Sequence, residues 1–298
     1  MQNRHTLAAA IDFEGVGVHS GAPVKARILP AEPGTGVVFV RTDQDGIEIP
    51  ATLENAADSF YATVLERRGA RVSTVEHLMA ALYALQVDDV RVELDGPEVP
   101  ILDGSSKPFV EAIQKVGRLR SKRTREYLTI VRPIVVREED EKRIAVYPCP
   151  EYRVTYAIDF DHPLLGYQEL TASIWRADDF AEKLAPARTF AFEREVEAMR
   201  KAGLARGGSL GNAVVLGETE ILNPGLRFPD EFVRHKMLDL TGDISLLAYP
   251  LRGHVVAYRA GHALHSRLAR RISDARDSWY VAPWGKEVPE AGSAAGRV

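Results

Sequence analysis

His235 and Asp239 stand four residues apart in Phe232-Val233-Arg234-His235-Lys236-Met237-Leu238-Asp239, a spacing that stacks an imidazole and a carboxylate on one side of a helix. Asp230, just after Pro229, is a suitable N-cap for that helix. At about 100° per residue, Val233, Met237, Leu240 and Ile244 form an apolar stripe, and His235 and Asp239 fall opposite it. Such a pair can grip one metal ion from a single rigid element, as the two histidines of an HExxH helix do. Taken alone, the commoner explanation is stronger: a solvated helix face carrying a weak i,i+4 pair. A metal centre needs a further ligand from elsewhere in the chain.

Ser73-Thr74-Val75-Glu76-His77-Leu78-Met79 supplies a candidate. It opens a helix whose apolar arc is Val75, Leu78, Met79 and Leu82, with Glu76 and His77 turned away from the arc's centre. Ser73 and Glu76 also fit a capping box, which by itself accounts for Glu76. With His77, His235 and Asp239 the chain has two histidines and one carboxylate, and a fourth position left open for water. That is the ligand set of a catalytic rather than a structural zinc site. Glu76 would then be a general base, and His262 an acid on the opposite side. Spacing does not make these residues converge, and His5, His19, His162 and His265 compete for the same roles. His19, set among glycines, reads as a turn residue.

The whole chain bounds the chemistry. Its 298 residues exceed one average domain and suffice for two compact cores. A composition of 45% hydrophobic and 27% charged residues is that of a soluble globular protein. Net charge is −4 and the pI about 6.1, with no cationic excess, so no nucleic-acid partner is expected. The N-terminus has no apolar signal-peptide core, and no run is long enough to span a bilayer. The single Cys149 excludes an intramolecular disulfide and any cysteine-rich zinc site. The expectation is a cytoplasmic protein whose metal is held by histidine and carboxylate.

The elements that must position these groups fall into two similar series. Short strands and hairpins occupy residues 7–43, followed by the Glu76–His77 helix, an alternating strand over 90–94, a turn-rich loop over 95–106, and a helix over 108–116 stopped by Gly117. The basic run 118–125 reads as a solvated linker and marks a domain boundary near residue 124. Strands resume over 127–131, 134–137, 143–147 and 154–160. Helices follow over 178–184 and 192–202, then a strand over 213–216. The His235 helix leads to a strand over 255–258, a turn at Gly261-His262-Ala263-Leu264-His265 and a last helix over 266–277. Residues 287–298 read as a disordered tail. The two series suggest two copies of one α+β unit facing each other, with a metal closed between them by ligands from both.

These motifs are similar to those of a known family. The chain resembles the zinc-dependent UDP-3-O-acyl-N-acetylglucosamine deacetylases through Gly15-Val16-Gly17-Val18-His19, Ser73-Thr74-Val75-Glu76-His77-Leu78 and Pro97-Glu98-Val99-Pro100-Ile101-Leu102-Asp103-Gly104-Ser105. It continues through Ala187-Arg188-Thr189-Phe190, Gly225-Leu226-Arg227-Phe228, the 230–239 stretch and Gly261-His262-Ala263-Leu264. The resemblance implies an α+β fold of two similar α/β sandwich domains, 1–124 and 125–286, packed face to face with the active site between them. It implies one catalytic Zn2+ held by His77, His235 and Asp239, with Glu76 as base on the bound water, whose pKa zinc lowers from 15.7 to around 7. Thr189 would donate to the oxyanion, and His262, oriented by Asp243, would be a cationic acid or stabiliser. Protonation of the leaving amine falls to His262 or to Glu76 acting twice. Lys236, Phe190 and Gly261 would contact substrate, Phe160 would pack on uracil, and the 192–216 insert would form a passage for the acyl chain. The implied reaction releases acetate in the committed step of lipid A biosynthesis. The family suggests a monomer, and the amphiphilic substrate allows transient contact with the inner membrane surface.

This chain departs from the family pattern in two places. His265 stands where many relatives have an amide, and residues 59–64 hold no cysteine where relatives often carry one. Two other functions compete: a zinc amidohydrolase for another small amide or peptide, and a non-catalytic binding module. The substrate-contact residues weigh against the first, and the full ligand set together with Glu76 weighs against the second.

Overall fold

The computed structural model describes residues 2–138 and 141–285. The tail expected at 287–298, and residue 286 closing the second expected domain, lie outside the described residues. In the first half the apolar alternation becomes sheet. Pro23–Pro30 buries Val24, Ala26 and Ile28 while Lys25 and Arg27 face out, because successive strand side chains point to opposite faces. Five strands lie in the order Ile11–Val16, Pro23–Pro30, Val90–Leu94, Val37–Arg41 and Ile47–Pro50. Their pairings run antiparallel, antiparallel, parallel and antiparallel.

The second half repeats that plan. Ile134–Arg137, Arg143–Tyr147, Leu251–Tyr258, Tyr152–Phe160 and Gly166–Ser173 are paired antiparallel, antiparallel, parallel and antiparallel. Glu126–Ile130 and Trp279–Pro283 extend this sheet beyond the start of Leu251–Tyr258 to seven strands. In the first half α1 (Glu76–Ala84) precedes the central strand and α2 (Lys107–Val116) follows it. After α3 (Ala177–Lys183) and α4 (Glu193–Lys201), α5 (Glu231–Ile244) precedes the central strand of the second sheet and α6 (His262–Asp274) follows it. The halves therefore share strand order, strand sense and helix placement.

α1 packs directly on α5, and α5 also touches α6. Both α1 and α5 are buried nearly all round, including their acids and histidines. A helix enclosed on every side is usually apolar throughout; here the polar side chains fill the seam between the halves.

Three local expectations are corrected. The basic run is no solvated linker: Arg118–Thr124 pairs antiparallel with Asn3–Leu7, and Arg125 is buried against Asp88 at 2.8 Å. The ribbon's strand mate is over a hundred residues away and most of the run's side chains face outward, so no alternation announced it. The last helix begins at His262 rather than residue 266, because extended Gly261 already accepts the first helical bonds from Leu264 and His265. Gly166–Ser173 is a strand that the sequence reading does not contain: it lies at the sheet edge, pairing only with Tyr152–Phe160, and none of its residues is buried.

Candidate metal centre

The side of α5 opposite its apolar stripe is not solvated. His235 and Asp239 are each 2% exposed. The His235 Nδ1–H donates to the Ala187 carbonyl at 3.0 Å, and since a carbonyl only accepts, the lone pair is left on Nε2. That Nε2 lies 3.2 Å from Asp239 Oδ1, and His77 Nε2 from α1 lies 3.6 Å from the same oxygen. The two imidazoles meet edge-on with ring centres 5.0 Å apart. Asp239 Oδ2 accepts from Lys236 Nζ at 3.0 Å, but Oδ1 is buried without a hydrogen-bond donor among the described residues. Burial alone would raise the Asp239 pKa; positive charge on His235 in its imidazolium form, and on Lys236, instead holds it well below the ordinary carboxylate range. A buried, ionised oxygen facing two imidazole nitrogens calls for a cation. The donor atoms of His77, His235 and Asp239 lie within 4.8 Å of one another, and two nitrogens with one oxygen suit zinc. The residues fit the metal.

Glu76 does not cap its helix. Ser73 ends the strand Ala70–Ser73 and turns its hydroxyl to the Pro97 carbonyl at 3.3 Å. The Glu76 carboxylate is buried instead, with Oε2 accepting from the Thr63 backbone N–H at 3.0 Å and Oε1 4.0 Å from His262 Nε2. Burial pushes its pKa up to about 6, against the opposing pull of His262 and His77. Burial would lower the pKa of His262, but Asp243, and then Asp239 and Glu76, bring it up to about 9. Asp243 Oδ2 accepts from His262 Nδ1 at 2.8 Å. The site thus sets a carboxylate and an imidazolium side by side at neutral pH, a pair able to accept one proton and donate another.

Asp243 Oδ2 also lies 2.7 Å from His265 Nδ1, whose ring Nε2 is 2.9 Å from the Tyr156 hydroxyl. Burial pushes the His265 pKa down despite Asp243. Asp243, His262 and His265 form a second cluster with metal-like spacing, but the Nδ1 atoms of both rings and the shared oxygen are already committed to hydrogen bonds with one another. Thr63 went unnoticed in the sequence because a threonine before a strand carries no chemical signature. Its hydroxyl bonds Asp243 Oδ1 while its N–H bonds Glu76.

These groups open on a cavity of about 960 Å3. Thr189, Lys236 and Gly261 line it together with the candidate metal donors, as do Phe160 and Phe190, whose ring centres are 6.0 Å apart; Phe190 also lies 6.4 Å from the His235 ring. Val196 and Met199 of α4, with Leu210, Ala213 and Val215, give the 192–216 segment an apolar share of the wall. His19, expected as a turn residue, also faces this space. Thr189 is held by its backbone, its N–H donating to Gly104 and its carbonyl accepting from Val214, both at 2.8 Å.

A family model described as UDP-3-O-acyl N-acetylglycosamine deacetylase matches residues 4–274. Among curated proteins, the UDP-3-O-acyl-N-acetylglucosamine deacetylase of Myxococcus xanthus is 47% identical over 283 residues, covering 94% of this chain and 90% of that protein. The protein of the same description from Solibacter usitatus is 49% identical over 273 residues, covering 91% and 92%. That from Syntrophotalea carbinolica is 44% identical over 283 residues, covering 94% and 91%.

Proposed function

This chain belongs to the UDP-3-O-acyl-N-acetylglucosamine deacetylase family, and we propose that the α1–α5 seam is where it hydrolyses the acetamide. The reaction converts UDP-3-O-(3-hydroxyacyl)-N-acetylglucosamine to the free amine and acetate, a step of lipid A biosynthesis. One zinc ion held by His77, His235 and Asp239 would supply Lewis acidity at the carbonyl and make water acidic, with a pKa near 7.

The chain's own residues move the protons. Glu76 Oε1 takes a proton from the attacking water as the new C–O bond forms. The Thr189 hydroxyl donates to the oxygen that becomes negative, a contribution of about 2.7–4 kcal/mol in comparable sites. His262 Nε2 gives its proton to the nitrogen as the C–N bond breaks, since an unprotonated amine leaves poorly. Asp243, bonded at His262 Nδ1, keeps Nε2 the donating atom. With Glu76 Oε1 and His262 Nε2 only 4.0 Å apart, the proton taken by the first can restore the second before the next turnover. That juxtaposition, beside three convergent metal donors, is the observation that carries the reading.

Recognition follows from the same cavity. Lys236 and Phe160 offer a cation and an aromatic face to the sugar nucleotide, and the apolar wall from 192–216 suits the acyl chain. A small amide or peptide would leave that wall empty, so the alternative amidohydrolase is not favoured. The site takes its residues from domains 1–124 and 125–286 of a single chain, which is consistent with a monomer. No helix among the described residues is long and apolar enough to cross a membrane; a cytoplasmic enzyme touching the inner membrane surface transiently would meet its substrate there.

The test is acetate release from the acylated sugar nucleotide before chelation, after it, and after zinc is returned. Loss followed by recovery is expected. Full turnover with the metal removed would overturn the zinc-dependent reading, and inactivity of the zinc-loaded protein would overturn the substrate.

A further inference from the structure

Glu231 sits in the first turn of α5 and is wholly buried. An acid there ordinarily faces solvent and favours the helix N-terminus electrostatically. This one spends both oxygens on segments preceding the helix. Oε1 accepts from the Arg188 backbone N–H at 2.9 Å and from Arg188 Nε at 2.8 Å. Oε2 accepts from Arg188 Nη2 at 3.1 Å and from the Arg227 backbone N–H at 2.6 Å. Arg188 Nη2 also reaches the Gly225 carbonyl at 2.8 Å, and Arg227 Nη1 reaches the Pro186 carbonyl at 2.8 Å. Three stretches that the sequence displays as separate motifs are thereby tied to one carboxylate.

We propose that Glu231 is a positioning residue, locking the 187–190 segment, which carries Thr189 and the carbonyl that orients His235, onto the helix that carries His235 and Asp239. Arg188 lies between the two functional positions in that segment. Its backbone N–H and guanidinium are fixed together, so the Ala187 carbonyl and the Thr189 hydroxyl keep their distances from α5. Bidentate Arg–carboxylate pairing gives this lock directional precision. Catalytic geometry tolerates displacements of only about 0.5 Å, which makes such support consequential.

The inference rests on Thr189 as the oxyanion donor, and the test separates the two. Glu231→Gln keeps the shape, yet its amide NH2 must face two of the four donors now bound, whichever way it flips. A cycle of Thr189→Ala, Glu231→Gln and the double variant, all zinc-saturated, is read as kcat and KM. Thr189→Ala should lower kcat about 100-fold. Glu231→Gln should lower it at least about tenfold with KM little changed, and add less than about threefold to Thr189→Ala, since two residues acting through one contact are not additive. Zinc affinity by chelator competition should weaken about tenfold in Glu231→Gln, as when the partner of a ligating histidine is disturbed.

Additive kcat losses with unchanged zinc affinity would overturn the role of Glu231. Unchanged kcat in Thr189→Ala would overturn the donor assignment instead, and the zinc arm would then decide for Glu231 by itself. Removing the partner of a buried charge can unfold a protein. If Glu231→Gln does not fold, Arg188→Lys, which keeps the charge and the backbone bond, enters the same cycle in its place with the same criteria.

Discussion

Gly242 of α5 lies so close to Glu76 of α1 that a Cβ at position 242 would fall 2.1 Å from the Glu76 carbonyl oxygen. These are the helices that bring His77 to His235 and Asp239, so their separation sets the size of the candidate metal site. By helix propensity alone, Gly242→Ala would stabilise α5 by about 0.8–1 kcal/mol. The clash opposes this, because the backbones must part by on the order of 1 Å to restore van der Waals distance. Metal–ligand distances tolerate only about 0.2 Å. Zinc affinity of Gly242→Ala should therefore fall at least about tenfold and its thermal midpoint should drop, by chelator competition and by calorimetry. Unaltered affinity would mean that the seam yields elsewhere.

With the proposed base and acid roles, the pH dependence of turnover follows from the Glu76–His262 pair. Glu76 must be ionised to accept a proton, so kcat/KM should rise through about pH 6. His262 must be protonated to donate one, so kcat/KM should fall through about pH 9. Asp243 is the main group raising His262 against its burial; Asp243→Asn should move the falling limb to lower pH and leave the rising limb in place. An unmoved falling limb in this variant would remove His262 from the role of acid.

How far the sequence reveals this site depends on how each contact is encoded. The helices carrying His77 and His235 and both central strands carry local periodicity, and these four elements lie within a few residues of those expected. His235 and Asp239 are visible because one helix turn holds both. Their burial is not, since the helix that covers them lies more than 150 residues earlier. Glu76 illustrates the opposite error: a pattern that fits a cap belongs to a carboxylate drawn inward by Thr63 and His262. Thr63, Glu231 and the Ala187 carbonyl act through long-range hydrogen bonds made by ordinary residue types, and no spacing rule can register them. The basic ribbon is illegible in the sequence for the same reason: its pairing partner is at the other end of the first half.

Thr63 offers a test of that long-range wiring. Its hydroxyl bonds Asp243 Oδ1 and its N–H bonds Glu76 Oε2. Thr63→Val removes the first bond, keeps the second and preserves the shape, leaving a buried carboxylate oxygen short of a donor. We expect kcat to fall about tenfold in Thr63→Val at saturating zinc, corresponding to about 1.4 kcal/mol, and Thr63→Ser to stay within about threefold of the parent. A loss in Thr63→Ser with none in Thr63→Val would show that the methyl group matters and the hydroxyl does not.

Acid stability should report on Glu231 independently of catalysis, in zinc-free protein. Burial alone would raise its pKa, but the bonds from Arg188 and Arg227 outweigh that and hold it below the ordinary value. A carboxylate with a lowered folded-state pKa binds protons more weakly when folded than when unfolded. Its stabilising contribution is therefore complete above the unfolded value of about 4.3 and is lost as the pH falls through the folded one. Glu231→Gln lacks this contribution at every pH. The difference in denaturation midpoint between parent and variant should be constant above about pH 5 and shrink below about pH 4. Asp239 and Asp243 are also held low, but both proteins contain them and the difference cancels their share. A gap that persists undiminished in acid would mean that it arises from the misplaced amide donors of the variant and not from loss of the carboxylate charge.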